Sequence, residues 1–268
     1  MKALLVTAVL VLFAAPAASR TWHILENGTG DAPTIQAGID SSAVGDTVLV
    51  GSGTYVENIN FLGKDIVVKS KMGPQATILD GSGNEETVAL FINGESRAAV
   101  LEGFTLTGGG GHDFAAGFRR GGGVYCAESS PIIRGNYIVQ NNVASAGGGL
   151  YLALPNSPTD FVSPLIEDNV FEDNYGRNGG GMEIDGGQPV IRGNVFRNNQ
   201  CAHDGGGISF WMGYGSPQVE QNQFWENVAP DHGGGIYAGN TYQATNIVIR
   251  FNLFVRNESR GEGAPYNG

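Results

Sequence analysis

Glu183 and Asp185 stand two residues apart in the run that follows the glycine triplet Gly179–Gly181. On an extended chain such a pair leaves one face, about 7 Å apart. Carboxylates at roughly that separation can serve as acid and base in inverting glycoside hydrolysis. The same face on neighbouring repeats offers Tyr151, Trp211 and Tyr237, whose rings can stack on sugars. These five residues make a candidate glycan-contact face, with Glu183 and Asp185 as candidate catalytic groups. The plainer reading is a solvated β surface, because Tyr and Trp favour strands in any case. A second group precedes the triplets: His203-Asp204 and Asp231-His232, with Arg177 one repeat earlier. Two imidazoles and two carboxylates can bind Zn²⁺ or exchange protons. The reversed order of the two dipeptides counts against a shared ligand set. Cys126 and Cys201 fall about three repeats apart, beyond disulfide reach. They are expected as two free thiols, with Cys126 buried in the core.

What must position these residues is a repeat. Glycine triplets begin at Gly121, Gly147, Gly179, Gly205 and Gly233, each followed by an apolar residue, and a weaker copy begins at Gly261. Between triplets come paired extended runs such as Pro189–Asn194 and Asn194–Asn199. Each unit of 26 to 32 residues therefore holds three short strands with Gly, Pro or Asn corners and no helical run. That is the arithmetic of a parallel β-helix with three strands per coil. A propeller blade needs about 40 residues. Aligning the repeats yields four apolar columns: Val124, Leu150, Met182, Ile208, Ile236; Cys126, Leu152, Ile184, Phe210, Ala238; Ile133, Ile166, Ile191, Val219, Ile249; and Ile138, Phe171, Phe196, Phe224, Phe254. The column beside the third reads Arg134, Glu167, Arg192, Glu220, Arg250, alternating in sign as paired strands prefer. Two Asn columns, at 136/169/194/222/252 and 141/174/199/227/257, fit stacked amide ladders, with Asn suited to the left-handed corner. Thr34–Asp40 has helical spacing and is placed as a cap on the first coil. Roughly eight coils follow from the length, in one domain.

Composition bounds the function. The chain of 268 residues has 43 Gly and a net charge of −11. Such acidity excludes a nucleic-acid partner, whose phosphates need a basic surface. It also repels acidic polysaccharides unless a cation such as Ca²⁺ bridges them. Met1-Lys2, the apolar run Ala3–Ala15 and the small residues Ala17-Ala18-Ser19 read as a secretory signal peptide, residues 1–19. The expected mature domain is residues 20–268, with no transmembrane segment. No capping helix follows the weak triplet, so the C-terminal end reads as that of a fragment, or as an end that adjoins a missing module or another chain.

The segment Gly45–Asn58, the run Gly103–Leu106 and the Gly-Gly-Gly-apolar repeats resemble bacterial secreted right-handed parallel β-helix proteins of the pectin-lyase-like fold group. The Gly-Gly-apolar and Phe-x-x-Asn repeats, the latter at Phe171–Asn174, Phe196–Asn199, Phe224–Asn227 and Phe254–Asn257, are similar to those of chlamydial polymorphic outer membrane proteins. The resemblance implies an all-β, right-handed solenoid that is secreted, extracellular or associated with the cell surface or outer membrane. Enzymes of the fold group act on acidic polysaccharides. Their Asp-Asp, Gly-His-Gly and Arg-Ile-Lys motifs are absent here. The leading expectation is a surface protein with a binding face for carbohydrate or another surface protein, with no cofactor and no catalysis. The alternative is a polysaccharide lyase, glycoside hydrolase or epimerase using Glu183 and Asp185, with Ca²⁺ if its substrate is acidic.

Overall fold

The computed structural model describes residues 18–83, 86–113, 117–156, 162–211, 214–239 and 246–261. The signal-peptide reading of residues 1–17 and most of the weak glycine copy lie outside the described residues.

The chain coils as a parallel β-helix. Among the described residues, three long parallel sheets run along its axis. A nine-stranded sheet extends from Thr21–Ile24 to Val248–Arg250, an eight-stranded one from Gly53–Val56 to Leu253–Val255, and a seven-stranded one from Ile59–Asn60 to Ile236–Gly239. These strand counts agree with about eight coils. The four apolar columns pair in the expected register. Most of them are fully buried in one continuous core. The phenylalanine column stacks nearly face on, with centroids 4.7, 4.9 and 4.8 Å apart from Phe171 through Phe254. That spacing is the strand separation, so stacking follows from register.

Polar columns finish the coils. Asn136, Asn169, Asn194, Asn222 and Asn252 pass side-chain amides along the axis at 3.0–3.1 Å. Asn141, Asn174, Asn199, Asn227 and Asn257 do the same at 2.8–3.0 Å. Each acceptor oxygen also takes the backbone N–H of the Asn one coil earlier, as Asn194 does from Asn169 at 2.9 Å. One corner expectation is corrected. The left-handed backbone lies not on the Asn but on the residue before it, including Gln140, Asp168, Asp173, Asn198, Gln221 and Glu226. The Asn itself stays free to turn its amide inward.

The charge column pairs as its alternation requires. Arg134 binds Glu102, Arg192 binds Glu167 and Arg250 binds Glu220, at 2.8, 2.7 and 2.6 Å. Each Arg reaches the preceding coil. The helix at Ile35–Ser41 closes the first coil, with Ile35 and Ile39 buried and Thr34 accepting from the Ala37 N–H. Glu57 binds its free N–H groups at Ile35 and Gln36, and Lys64 Nζ binds the carbonyls of Ile39, Asp40 and Ser42. Both ends of a short helix are thus satisfied by charges of the favourable sign.

Both cysteines are free and buried. Cys126 points into the core. Cys201 sits on a short strand, Gln200–Cys201. That strand belongs to a four-stranded parallel ribbon running from Tyr175–Gly176 to Glu258–Ser259, which hydrophobic alternation did not reveal because each member is two residues long. Burial pushes the Cys201 thiol up to about 12.

Candidate functional site

The outward positions of the seven-stranded sheet run Leu90, Tyr125, Tyr151, Glu183, Ser209, Tyr237 in strict register. The expected solvated surface is not what they form. Tyr125, Tyr151, Glu183 and Ser209 expose only 3, 1, 4 and 0% of their surface. The glycine triplets explain the difference. The first glycine of each has positive φ, +67° at Gly147 and +72° at Gly205, and folds the chain back over the strand it precedes. A Cβ on Gly147 would lie 2.9 Å from Tyr151 Cβ, and one on Gly205 2.7 Å from Ser209 Cβ. Glycine lets the corner rest directly on the outward side chains. The residues just before the triplets then stack into a wall through the bridges Arg120↔Ala146, Ala146↔Asn178 and Asp204↔His232. A hairpin of His112–Asp113 against Arg119–Arg120 adds to this covering.

What remains open is a cleft of about 330 Å³, lined by Arg120, Arg177, Glu183, Asp185, His203 and Trp211 with Phe118, Ser145, Ala146 and Asn178. Glu183 and Asp185 are both there. The Tyr151 hydroxyl donates to Asp185 Oδ2, and Arg120 Nη1 donates to the same hydroxyl. Arg120 Nη1 also lies 3.5 Å from Asp185. Glu183 Oε2 and Asp185 Oδ1 are buried without a hydrogen-bond partner. Burial holds the Glu183 carboxyl well above the usual carboxylate range, and the neighbouring Asp185 charge adds to this. Burial raises Asp185 to about 6, against the opposing pull of the Tyr151 hydroxyl and Arg120. Desolvation thus holds both carboxyls above the usual carboxylate range, with Arg120 facing Asp185.

The aromatic candidates separate. Tyr151 is a buried hydrogen-bonding support, not a stacking platform, and it packs 5.5 Å from Tyr125. Trp211, half-buried at the end of its strand, lines the cleft. Tyr237 lies one coil further and stacks on His232 at 5.7 Å.

The histidine cluster forms two crossed pairs. His203 Nδ1 meets Asp231 at 3.0 Å and His232 Nδ1 meets Asp204 at 2.9 Å. The reversed order of the dipeptides, which counted against a common role, is what sets each imidazole opposite a carboxylate one coil away. Among the described residues no group of three or more His, Cys, Asp or Glu side chains is placed to hold a metal. His203 and Arg177 join the cleft wall. Arg120 was missed by the sequence reading. Its signal was the position directly before a triplet, the same column that holds Asp204 and His232.

The family described as right-handed β-helix region matches residues 79–224 and 123–264, which together cover most of the chain. The chain belongs to the right-handed β-helix family. This right-handed β-helix is also 35% identical over 68 residues to the probable outer membrane protein pmp20 of Chlamydia pneumoniae. That segment is 25% of this chain and 4% of the relative. No solved structure matches the chain. Among the described residues no helix is long and apolar enough to cross a membrane.

Proposed function

We propose that this chain is an extracellular, surface-associated β-helix protein that binds a carbohydrate chain in the Glu183–Asp185 cleft. The observation that carries the reading is the unsatisfied pair of buried carboxyl oxygens, Glu183 Oε2 and Asp185 Oδ1, in a cleft open to a ligand. A buried polar atom without a partner costs about 1–3 kcal/mol. Sugar hydroxyls, which both donate and accept, would supply what is missing. The Glu183 carboxyl can bond such a hydroxyl in either protonation state, and Trp211 offers a ring at the margin. The outer-membrane name of the chlamydial relative, together with the leader-like residues 1–19, supports a place outside the cell.

A second reading, turnover by acid–base chemistry, is favoured by one specific observation. Two carboxyls on one strand are both raised by burial, while only Asp185 is bonded by the Tyr151 hydroxyl, an asymmetry of the kind that divides acid and base roles. Glu183 would protonate a leaving oxygen and Asp185 would take a proton. Calorimetric titration with a panel of neutral and acidic oligosaccharides tests both. Binding that disappears in Trp211→Ala at unchanged thermal stability is expected. No binding across the panel would sink the carbohydrate reading. Product formation lost in Glu183→Gln would establish turnover.

A further inference from the structure

The first strand begins where an export leader would end. The Arg20 backbone nitrogen donates to Asp46 Oδ1 at 2.7 Å. The other oxygen of Asp46 accepts Trp22 Nε1 at 3.1 Å and the Ala43 N–H at 3.0 Å. The Arg20 guanidinium sits 3.6 Å from the Trp22 ring centroid, and the Arg20 carbonyl accepts from the Thr47 N–H at 2.8 Å. The Arg20 backbone is therefore held through both its N–H and its carbonyl, although its side chain, like Ala18 and Ser19 before it, is exposed. Asp46 itself is buried at the corner that follows the capping helix. The N–H groups of Arg20 and Ala43 hold its carboxyl below the usual carboxylate range.

In an unprocessed chain the Arg20 nitrogen is an amide, and it gives Asp46 one neutral N–H. In a chain that starts at Arg20 the same nitrogen is an ammonium, with a full charge and three hydrogens. Charged donors make roughly twice the bond of neutral ones. We propose that the export leader is removed between Ser19 and Arg20, and that the new Arg20 α-ammonium is clamped by Asp46 as an ion pair that locks the first coil. Hydrolysis of the Ser19–Arg20 amide by a leader peptidase consumes one water. It leaves a carboxylate on Ser19 and the ammonium on Arg20. Ala17 and Ser19 place small residues where such peptidases need them. A cut after Ala17 instead would carry the charge up to about 7 Å away along two extended residues. The proposal is independent of what the cleft binds.

The test is to express the full chain in a secreting host and read the mass of the exported protein's N-terminal peptide. Arg20 as the first residue is expected, and a start at Ala18 or any other residue overturns the assignment. Urea unfolding of that protein is then compared with a chain made without export that keeps Ala18 and Ser19 behind an initiating Met. The processed chain should show a roughly three- to tenfold larger folding equilibrium constant. Equal constants would overturn the clamp. Asp46→Asn should abolish the difference, and a difference that survives it also refutes the clamp. If that variant does not fold, the wild-type pair decides alone.

Discussion

Replacing Glu183 with Gln should stabilise the protein at neutral pH and leave it nearly unchanged at pH 4. The wild-type carboxyl is buried, held above its ordinary value by desolvation and then by Asp185. The unfolded chain releases that proton near pH 4.5 while the folded chain retains it. A group with a raised folded value contributes most below its unfolded pKa, and its contribution falls as pH rises. One retained proton corresponds to a slope of about 1.4 kcal/mol per pH unit over the range in which Glu183 stays protonated. Gln is nearly isosteric and has no proton to retain, so the difference between the two proteins should grow with that slope above pH 4.5. Asp185 keeps its own dependence in both proteins. Its shift from 3.8 to about 6 corresponds to about 3 kcal/mol lost between those pH values. Urea unfolding at half-unit steps from pH 4 to pH 8, for wild type and Glu183→Gln, measures the difference directly. A wild-type minus variant difference that does not change with pH would refute the burial argument.

Removing Asn194 by Asn194→Ala strands the Asn169 amide groups that donate to it and frees the Ile166 carbonyl, so a loss of about 2–4 kcal/mol is expected in urea unfolding. Phe196→Ala opens the middle of the ring stack and should cost about 3–5 kcal/mol by the same assay, whereas Phe254→Ala, 48% exposed on the last coil, should cost clearly less. Gly181→Ala would set a Cβ 2.6 Å from the Gly207 carbonyl oxygen and 2.9 Å from Phe196 Cδ1, so soluble yield and circular dichroism should show a misfolded product. A thiol reagent should find both cysteines inert in the native protein and both reactive in denaturant without reductant.

The coil architecture was legible because two independent patterns agree in the sequence. The apolar columns and the Arg134–Arg250 charge alternation demand the same register, and the strands pair in it. The site was legible only as far as backbone direction goes. Alternation told that Tyr151, Glu183 and Trp211 leave the sheet on one side. It did not tell what lay above them, because the covering comes from glycine corners whose role is to approach closely, not to show a side chain. For the same reason Tyr151 was expected to be exposed and is not. Arg120 stands in the aligned column before the triplets, but that column mixes Arg, Ala, Asn, Asp and His, so nothing in its composition marked a site. The crossed histidine pairs were readable in principle. Residues 203 and 231, and 204 and 232, are each one coil apart, and only the pairing of unlike neighbours had to be asked.

The glycine corners have a further consequence for how such a protein changes over time. Because each coil with a glycine triplet lays its turn on the strand by backbone alone, the outward column there is a row of slots on a constant frame. Tyr125, Tyr151, Glu183, Ser209 and Tyr237 occupy the same slot on successive coils, so one slot takes a phenol, a carboxyl or a small hydroxyl. A substitution in one slot alters the lining while the backbone frame of the coil stays the same. Duplication or loss of a whole coil slides the lining along the axis while the amide ladders and ring stack close up again behind it. In such a frame, position along the axis works as an address, and new ligands can be met by rewriting one address at a time.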